Sequence, residues 1–324
     1  MKIEVKYPKQ TNLYSFVSNL SQWNELVCVP QRKKEWIKRT GKLNQEEEKN
    51  LNEFSKVLQE AESNLETIFL FEKPKDIQAL ISKEISKEKF EIIKQTFKVF
   101  EGRFNKVWNE EYENLKVIEK KFNEKKSQID KNLEDIKKLC GLTKKQLPQK
   151  IETTLILSST LKEDCQGWSF KEKVVLECSG WPKEKIEYLI YSIFLHECFH
   201  ILFKRNIKLF SNFKSVAHKN RHSINLTELS EWPPEVILEE IVISTFLPEG
   251  YLSEKNMNIN SRKTAKKEAE KKSTDDFTRL RNFCALHLYD LAKEYTDKDK
   301  QLDRFYFEKA IDCIKKFIDL NKKG

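Results

Sequence analysis

His196-Glu197-Cys198-Phe199-His200 is the stretch of this chain in which residue types and spacing together imply chemistry. On an α-helix, two imidazoles four residues apart lie about 6 Å apart along the axis and about 40° apart around it, so both reach one metal ion. Glu197 lies about 100° around the helix from His196, beside such an ion, where a carboxylate can take a proton from a metal-bound water. The plainer alternative is a pair of core histidines with ordinary hydrogen-bond partners. Against it, Ile186, Leu189, Ile190, Ile193, Phe194, Leu195, Phe199, Ile201, Leu202 and Phe203 make the surrounding helix apolar nearly all round. Two imidazoles and a carboxylate buried in such a helix cost several kcal/mol unless partnered, and a bound cation partners all three. Ser179-Gly180-Trp181-Pro182 reads as the start of this helix, with Pro182 near its first turn.

A catalytic zinc ion takes three protein ligands and leaves one position for water. The third ligand is sought in the apolar run after Pro233-Pro234, which reads as a helix from about Glu235 to Leu247, closed by Pro248-Glu249-Gly250. Glu239 and Glu240 both stand in it. Glu240 shares its face with Val236, Ile237, Ile243 and Leu247 and has Ser244 one turn on, whose hydroxyl can hydrogen-bond a metal-bound imidazole. Glu240 is the expected ligand; Glu239 and Glu235 remain alternatives, as does a purely structural role for these charges. Cys198, facing away from the histidine pair, is expected to be a small core residue.

With these residues in place the chain resembles the gluzincin division of the zincin metallopeptidases. Its thermolysin-like members pair His-Glu-x-x-His with a later helix of pattern Glu-x-x-x-Asp-x-Phe; here Glu240-Ile241-Val242-Ile243-Ser244-Thr245-Phe246 carries Ser244 in place of the Asp. The order Glu240, Phe246, Leu247, Pro248 is also similar to the ImmA/IrrE-type peptidases, without their small residue after the Glu. The resemblance spans roughly 150–250. It implies a Zn2+ ion bound by His196, His200 and Glu240, with Glu197 as general base and then general acid in hydrolysis of a peptide or protein substrate. A further oxyanion donor is customary; Tyr251, His287, Tyr289, His218 and His222 are the candidates, each with a structural alternative.

The elements that must position this site belong to a helix-rich chain. With 39% apolar residues, 34% charged residues, 7 Gly and 8 Pro in 324 residues, long helices are favoured over a many-stranded β fold. The expected class is α+β, mostly α, with a small sheet. Leu51, Phe54, Leu58, Ala61, Leu65 and Ile68 predict one helix ended by Pro74; a second set runs from Ile77 to Phe104, and a third from Trp108 to Ile136, stopping at Gly141. Leu13 to Trp23 predicts a short helix before them. Residues 151–157 and 174–178 read as strands around a turn-rich stretch with Gly167 and Trp168, and an edge strand of such a sheet can hold an extended peptide. Residues 204–231 and 253–276 read as irregular or mobile, and 277–296 and 302–321 as helices. The implied division is 1–149, a helical bundle covering the cleft or binding a partner, and 150–324, a zincin-like catalytic domain.

Sixty basic and 51 acidic residues give a net charge of +9, but Lys and Glu alternate along the chain, which marks solvated helix faces more than a nucleic-acid surface. Met1 to Pro8 lacks the apolar core of a signal peptide, and Glu187, His196, Glu197 and His200 interrupt the most apolar run, so the expectation is no membrane span and a cytoplasmic location. The seven scattered cysteines, without a Cys-x-x-Cys pair, point to reduced thiols. The competing functional class is a helical binding or scaffold protein whose metal site is structural or inactive; a basic nucleic-acid-binding regulator comes third.

Overall fold

A computed structural model describes residues 1–24, 30–61, 63–157, 166–178, 186–224, 232–257, 261–271 and 275–321. The protein is α+β and mostly helical, and its contacts gather into two compact units. One comprises 2–124 with 150–189, the other 125–149 with 190–324, so the chain passes between units at 124/125, 149/150 and 189/190.

The first unit is built on four strands, β1 (Lys2–Lys6), β2 (Lys150–Ile156), β3 (Gly167–Phe170) and β4 (Lys173–Glu177), in the order β1-β2-β4-β3. β1 and β4 run parallel to β2, with Ile3 opposite Ile151 and Leu155 opposite Leu176, and β3 returns antiparallel on β4. All of β2 from Ile151 onward is buried, as in a central strand covered on both faces. The helices of this unit are α1 (Lys9–Ser21), α2 (Pro30–Thr40), α3 (Gln45–Glu60), α4 (Ser63–Phe71), α5 (Pro74–Glu84) and α6 (Lys87–Glu124). Asn12 fastens α1 to the end of β2: its side-chain amide donates to the Leu155 carbonyl at 3.2 Å and accepts from the Leu157 amide at 2.7 Å. Tyr14, Phe16, Trp36, Phe54, Phe69 and Phe104 fill the core between the helices.

The second unit holds α7 (Lys126–Leu139), a 3-10 turn (Lys144–Gln146) and nine further α-helical segments, counted among the described residues. After α8 (Ile186–Tyr188) the helix widens into a π turn (Leu189–Phe194) and tightens into α9 (Leu195–Arg205). A π turn shifts the angular phase of the residues after it, so the face shown by His196 and His200 is set downstream of Phe194. Then come α10 (Ile207–Lys219), α11 (Arg221–Ile224), α12 (Pro234–Ser244), α13 (Tyr251–Met257), α14 (Ser261–Glu270), α15 (Asp276–His287), α16 (Tyr289–Asp297) and α17 (Arg304–Asn321). α9 packs on α7, α10 and α12, around Phe199, Phe203, Phe213, Phe246 and Phe307. Ile186–Arg205 is long and apolar enough to cross a membrane, but most of it is buried inside the protein.

Several sequence expectations need correction. The single helix through Leu51 and Ile68 is two, α3 ending at Glu60 and α4 beginning at Ser63. The sets ending at Phe104 and beginning at Trp108 belong to one helix, α6, and the break falls at Lys125, before α7. Gly141 does stop that helix, at a φ of 61°, with the Leu142 amide returning to the Lys137 carbonyl. Residues read as irregular or mobile form α10, α11, α13 and α14. Leu209, Phe213, Val216 and Ala217 give α10 a narrow buried stripe, and a Lys, Glu and Ala-rich α14 folds with little more than Ser261 and Ala265 buried. β1 and β3 add two strands to the two expected. The start signal at 179–182, Cys28 and Cys165 lie outside the described residues; Cys140, Cys198, Cys284 and Cys313 are buried and free, and Cys178 is buried.

Arg32 on α2 meets Glu177 at the end of β4 at 2.6 Å, with side chains 3% and 2% exposed. Removing Arg32 takes this close counter-charge from Glu177 in a buried site, so Arg32→Met is expected to cost about 3–5 kcal/mol in urea unfolding. Burial pushes Glu66 on α4 up to about 7 from its ordinary 4.5. A raised folded pKa contributes stability that is complete below the unfolded value and is lost as the pH rises through the folded one. Glu66→Gln should therefore match the wild type near about pH 4 and exceed it by about 1–3 kcal/mol near about pH 8, by the same unfolding measurement.

Candidate metal centre

α9 carries His196, Glu197 and His200, all buried, and donor atoms of the three lie within 4.8 Å of one another. α12 brings Glu240 against them. His196 Nε2 and His200 Nε2 are 3.0 Å apart, and the Glu240 carboxylate lies 3.2 Å from the first and 3.1 Å from the second. Three donors around a tetrahedral ion with bonds of about 2.0–2.1 Å stand about 3.3 Å apart, a spacing close to that between these groups, with Glu240 offering Oε2 to His196 and Oε1 to His200.

The outer ring nitrogens explain why the inner ones converge. His196 Nδ1 lies 3.0 Å from the Leu247 carbonyl oxygen, and His200 Nδ1 lies 2.6 Å from Glu239 Oε1. A carbonyl and an ionised carboxylate only accept, so each Nδ1 carries the hydrogen and donates outward. In neutral rings both Nε2 lone pairs then face each other and the Glu240 oxygens. Acceptors gathered without a donor repel, and either a further proton or a metal ion must stand among them. The electrostatics agree. Burial lowers the basicity of His200, but Glu240 and Glu239 outweigh it and raise its pKa to about 10. Burial raises Glu240, yet His196 and His200 hold its carboxyl well below the usual carboxylate range. The cluster is built to hold positive charge, and the group can bind a metal ion.

Glu197, itself buried, makes no hydrogen bond to a described residue, and its carboxylate lies beside the two imidazoles. Cys198 is fully buried, and burial pushes its thiol up, as expected of a core residue.

Glu239 and Glu240 thus occupy two different places, one behind His200 and one in front of both rings. Ser244 does not orient an imidazole, the role its spacing suggested. Its hydroxyl accepts from Arg281 Nε at 2.8 Å, while Arg281 Nη2 meets Glu249 at 2.9 Å, so Ser244 ties α15 to α12. Leu247 takes the orienting task for His196, a role without sequence signature because it belongs to a backbone carbonyl. Glu235 makes no contact with the cluster among the described residues. The same holds for the oxyanion candidates: Tyr251 bonds Asp297, Tyr289 packs edge-on against Tyr251, His287 bonds the Phe283 carbonyl, and His218 and His222 are exposed on α10 and α11.

The turn that presents the Leu247 carbonyl is held from several sides. Thr245 donates to the Val242 carbonyl and so accepts from the Tyr306 hydroxyl, both at 2.6 Å. Phe246 lies between Phe199 and Tyr306. Gly250 returns the chain so closely on Thr245 that a Cβ there would overlap the Thr245 carbonyl. Comparison of the chain with protein-family models, curated proteins and solved structures finds no match.

Gly250→Ala is expected to push this turn off α12, destabilise the protein by about 1–3 kcal/mol and loosen the His196 contact. Thermal melting together with metal retention checks it; a protein unchanged in both would show that the turn does not govern His196.

Proposed function

We propose that the protein is a zinc-dependent peptidase that hydrolyses peptide bonds in peptide or protein substrates. The observation that carries this reading is the convergence of His196 Nε2, His200 Nε2 and the Glu240 carboxylate within 3.0–3.2 Å, beside a Glu197 carboxylate without a described hydrogen-bond partner. Two imidazoles and one carboxylate form a donor set that suits zinc and leaves a position open. When bound, the ion polarises the scissile carbonyl and lowers the pKa of water towards neutrality.

The chain's own residues supply the rest. Leu247 and Glu239 hold the two rings with their lone pairs aimed inward, so no reorientation is needed when the ion arrives. Glu197 takes the proton from the attacking water and returns it to the leaving amine, the part a carboxylate plays best when it is close but not itself a ligand. The low exposure of the two histidines keeps competing water to a minimum. The likeness to gluzincin peptidases rests on the same His196, Glu197, His200 and Glu240, and supports a hydrolase over an inert metal site.

Metal content of the purified protein by mass spectrometry should be one zinc per chain, and His196→Ala should lose it. Glu197→Gln should keep the zinc while peptide hydrolysis falls by about 10²–10⁴-fold. Zinc retained with no turnover of a mixed peptide library by the wild type would instead support a binding or scaffold role, and unchanged turnover in Glu197→Gln would remove the assigned base.

A further inference from the structure

The Glu239 carboxylate that holds His200 has a second partner. Lys204 Nζ lies 2.9 Å from Glu239 Oε1, the same oxygen that His200 Nδ1 reaches at 2.6 Å. Lys204 comes one helical turn after His200 on α9, so both point towards the same part of α12. The burial is graded: the Lys204 side chain is 49% exposed, Glu239 only 6% and His200 8%. The three form a line from solvent to the metal centre.

A carboxylate this buried, bonded only to an imidazole, is poorly tied. It is free to turn about its terminal torsion, which is broad, and its charge has no opposite charge outside the cluster. An ammonium on Oε1 removes both freedoms. It fixes in place the oxygen that receives the His200 N–H. His200 is then held with its Nε2 lone pair turned towards His196 and Glu240.

We propose that Lys204 is a positioning residue of the metal centre, acting on the ion through Glu239 and His200. The inference rests on the zinc-site proposal and extends it by naming a half-exposed side chain that sets how firmly the ion is held. Because an ion pair with one exposed member adds little to global stability, Lys204 can be removed without unfolding the protein.

The test compares zinc dissociation constants, by competition with a chelator, for the wild type, Lys204→Met, Lys204→Arg, Glu239→Gln and the Lys204→Met/Glu239→Gln pair, with thermal melting of each metal-free protein. Outer partners of a ligating histidine are worth about 10–100-fold in metal affinity, which is the loss expected of Glu239→Gln. One step further out, Lys204→Met should weaken zinc by about 3–10-fold without lowering the melting temperature, and Lys204→Arg should restore it to within about twofold. In the Glu239→Gln background, Lys204→Met should add nothing, because its only route to the ion is gone. A zinc constant unchanged in Lys204→Met overturns the inference, as does an equally large effect in the Glu239→Gln background. Zinc uptake that ignores Lys204 sinks this proposal alone, whereas a wild-type chain that takes up no zinc sinks the zinc site as well.

Discussion

Two outward hydrogen bonds govern the rest of this structure: His196 Nδ1 to the Leu247 carbonyl and His200 Nδ1 to Glu239. Each commits a ring proton to the outside and so leaves a lone pair on the inside. With Glu240 in the same space, the inner atoms form a collection of acceptors that only positive charge can stabilise. Burying such a cluster in an apolar helix is expensive unless that charge is supplied.

The second unit is organised around keeping those two bonds in place. α9 is gripped by α7, α10 and α12, and α12 delivers Glu239 and Glu240 as adjacent residues to opposite sides of His200. A helix turns about 100° per residue, so neighbouring carboxylates diverge enough for one to stand behind the ring while the other faces its inner nitrogen. Immediately after α12 the chain turns back through Leu247, and the packing of Phe246, Tyr306, Arg281 and Gly250 holds its carbonyl at His196. Rigid packing of this kind is what makes a donor triangle reproducible to a fraction of an ångström.

Glu197 stands apart from this pattern of paired charges. Most buried carboxylates in the protein are answered by a cation, as Glu177 is by Arg32, Glu47 by Arg103 and Glu152 by Lys6 and Lys150. In Glu152, burial pushes the carboxyl up, but Lys150 and Lys6 prevail and bring it down to about 2. Glu197 has no such ion pair or hydrogen bond among the described residues and faces only the imidazole cluster, which suits the general-base part proposed for it.

The sequence alone carried the helix spacing of His196 and His200, the place of Glu197 between them, the apolar surroundings and the two candidate glutamates. These are properties of local periodicity, and periodicity survives folding. It also carried β2 and β4, whose Val, Ile and Leu residues read as strands, and the helix stop at Gly141. β1 was hidden by its charged alternation, and α10 and α14 by stripes too narrow to stand out among Lys, Asn and Ser. Which glutamate faces the rings, that Ser244 serves Arg281, and that a backbone carbonyl orients His196 were decided only by the tertiary structure. Each depends on how α9, α12 and α15 are rotated and spaced against one another, a long-range packing outcome that no run of residues encodes locally.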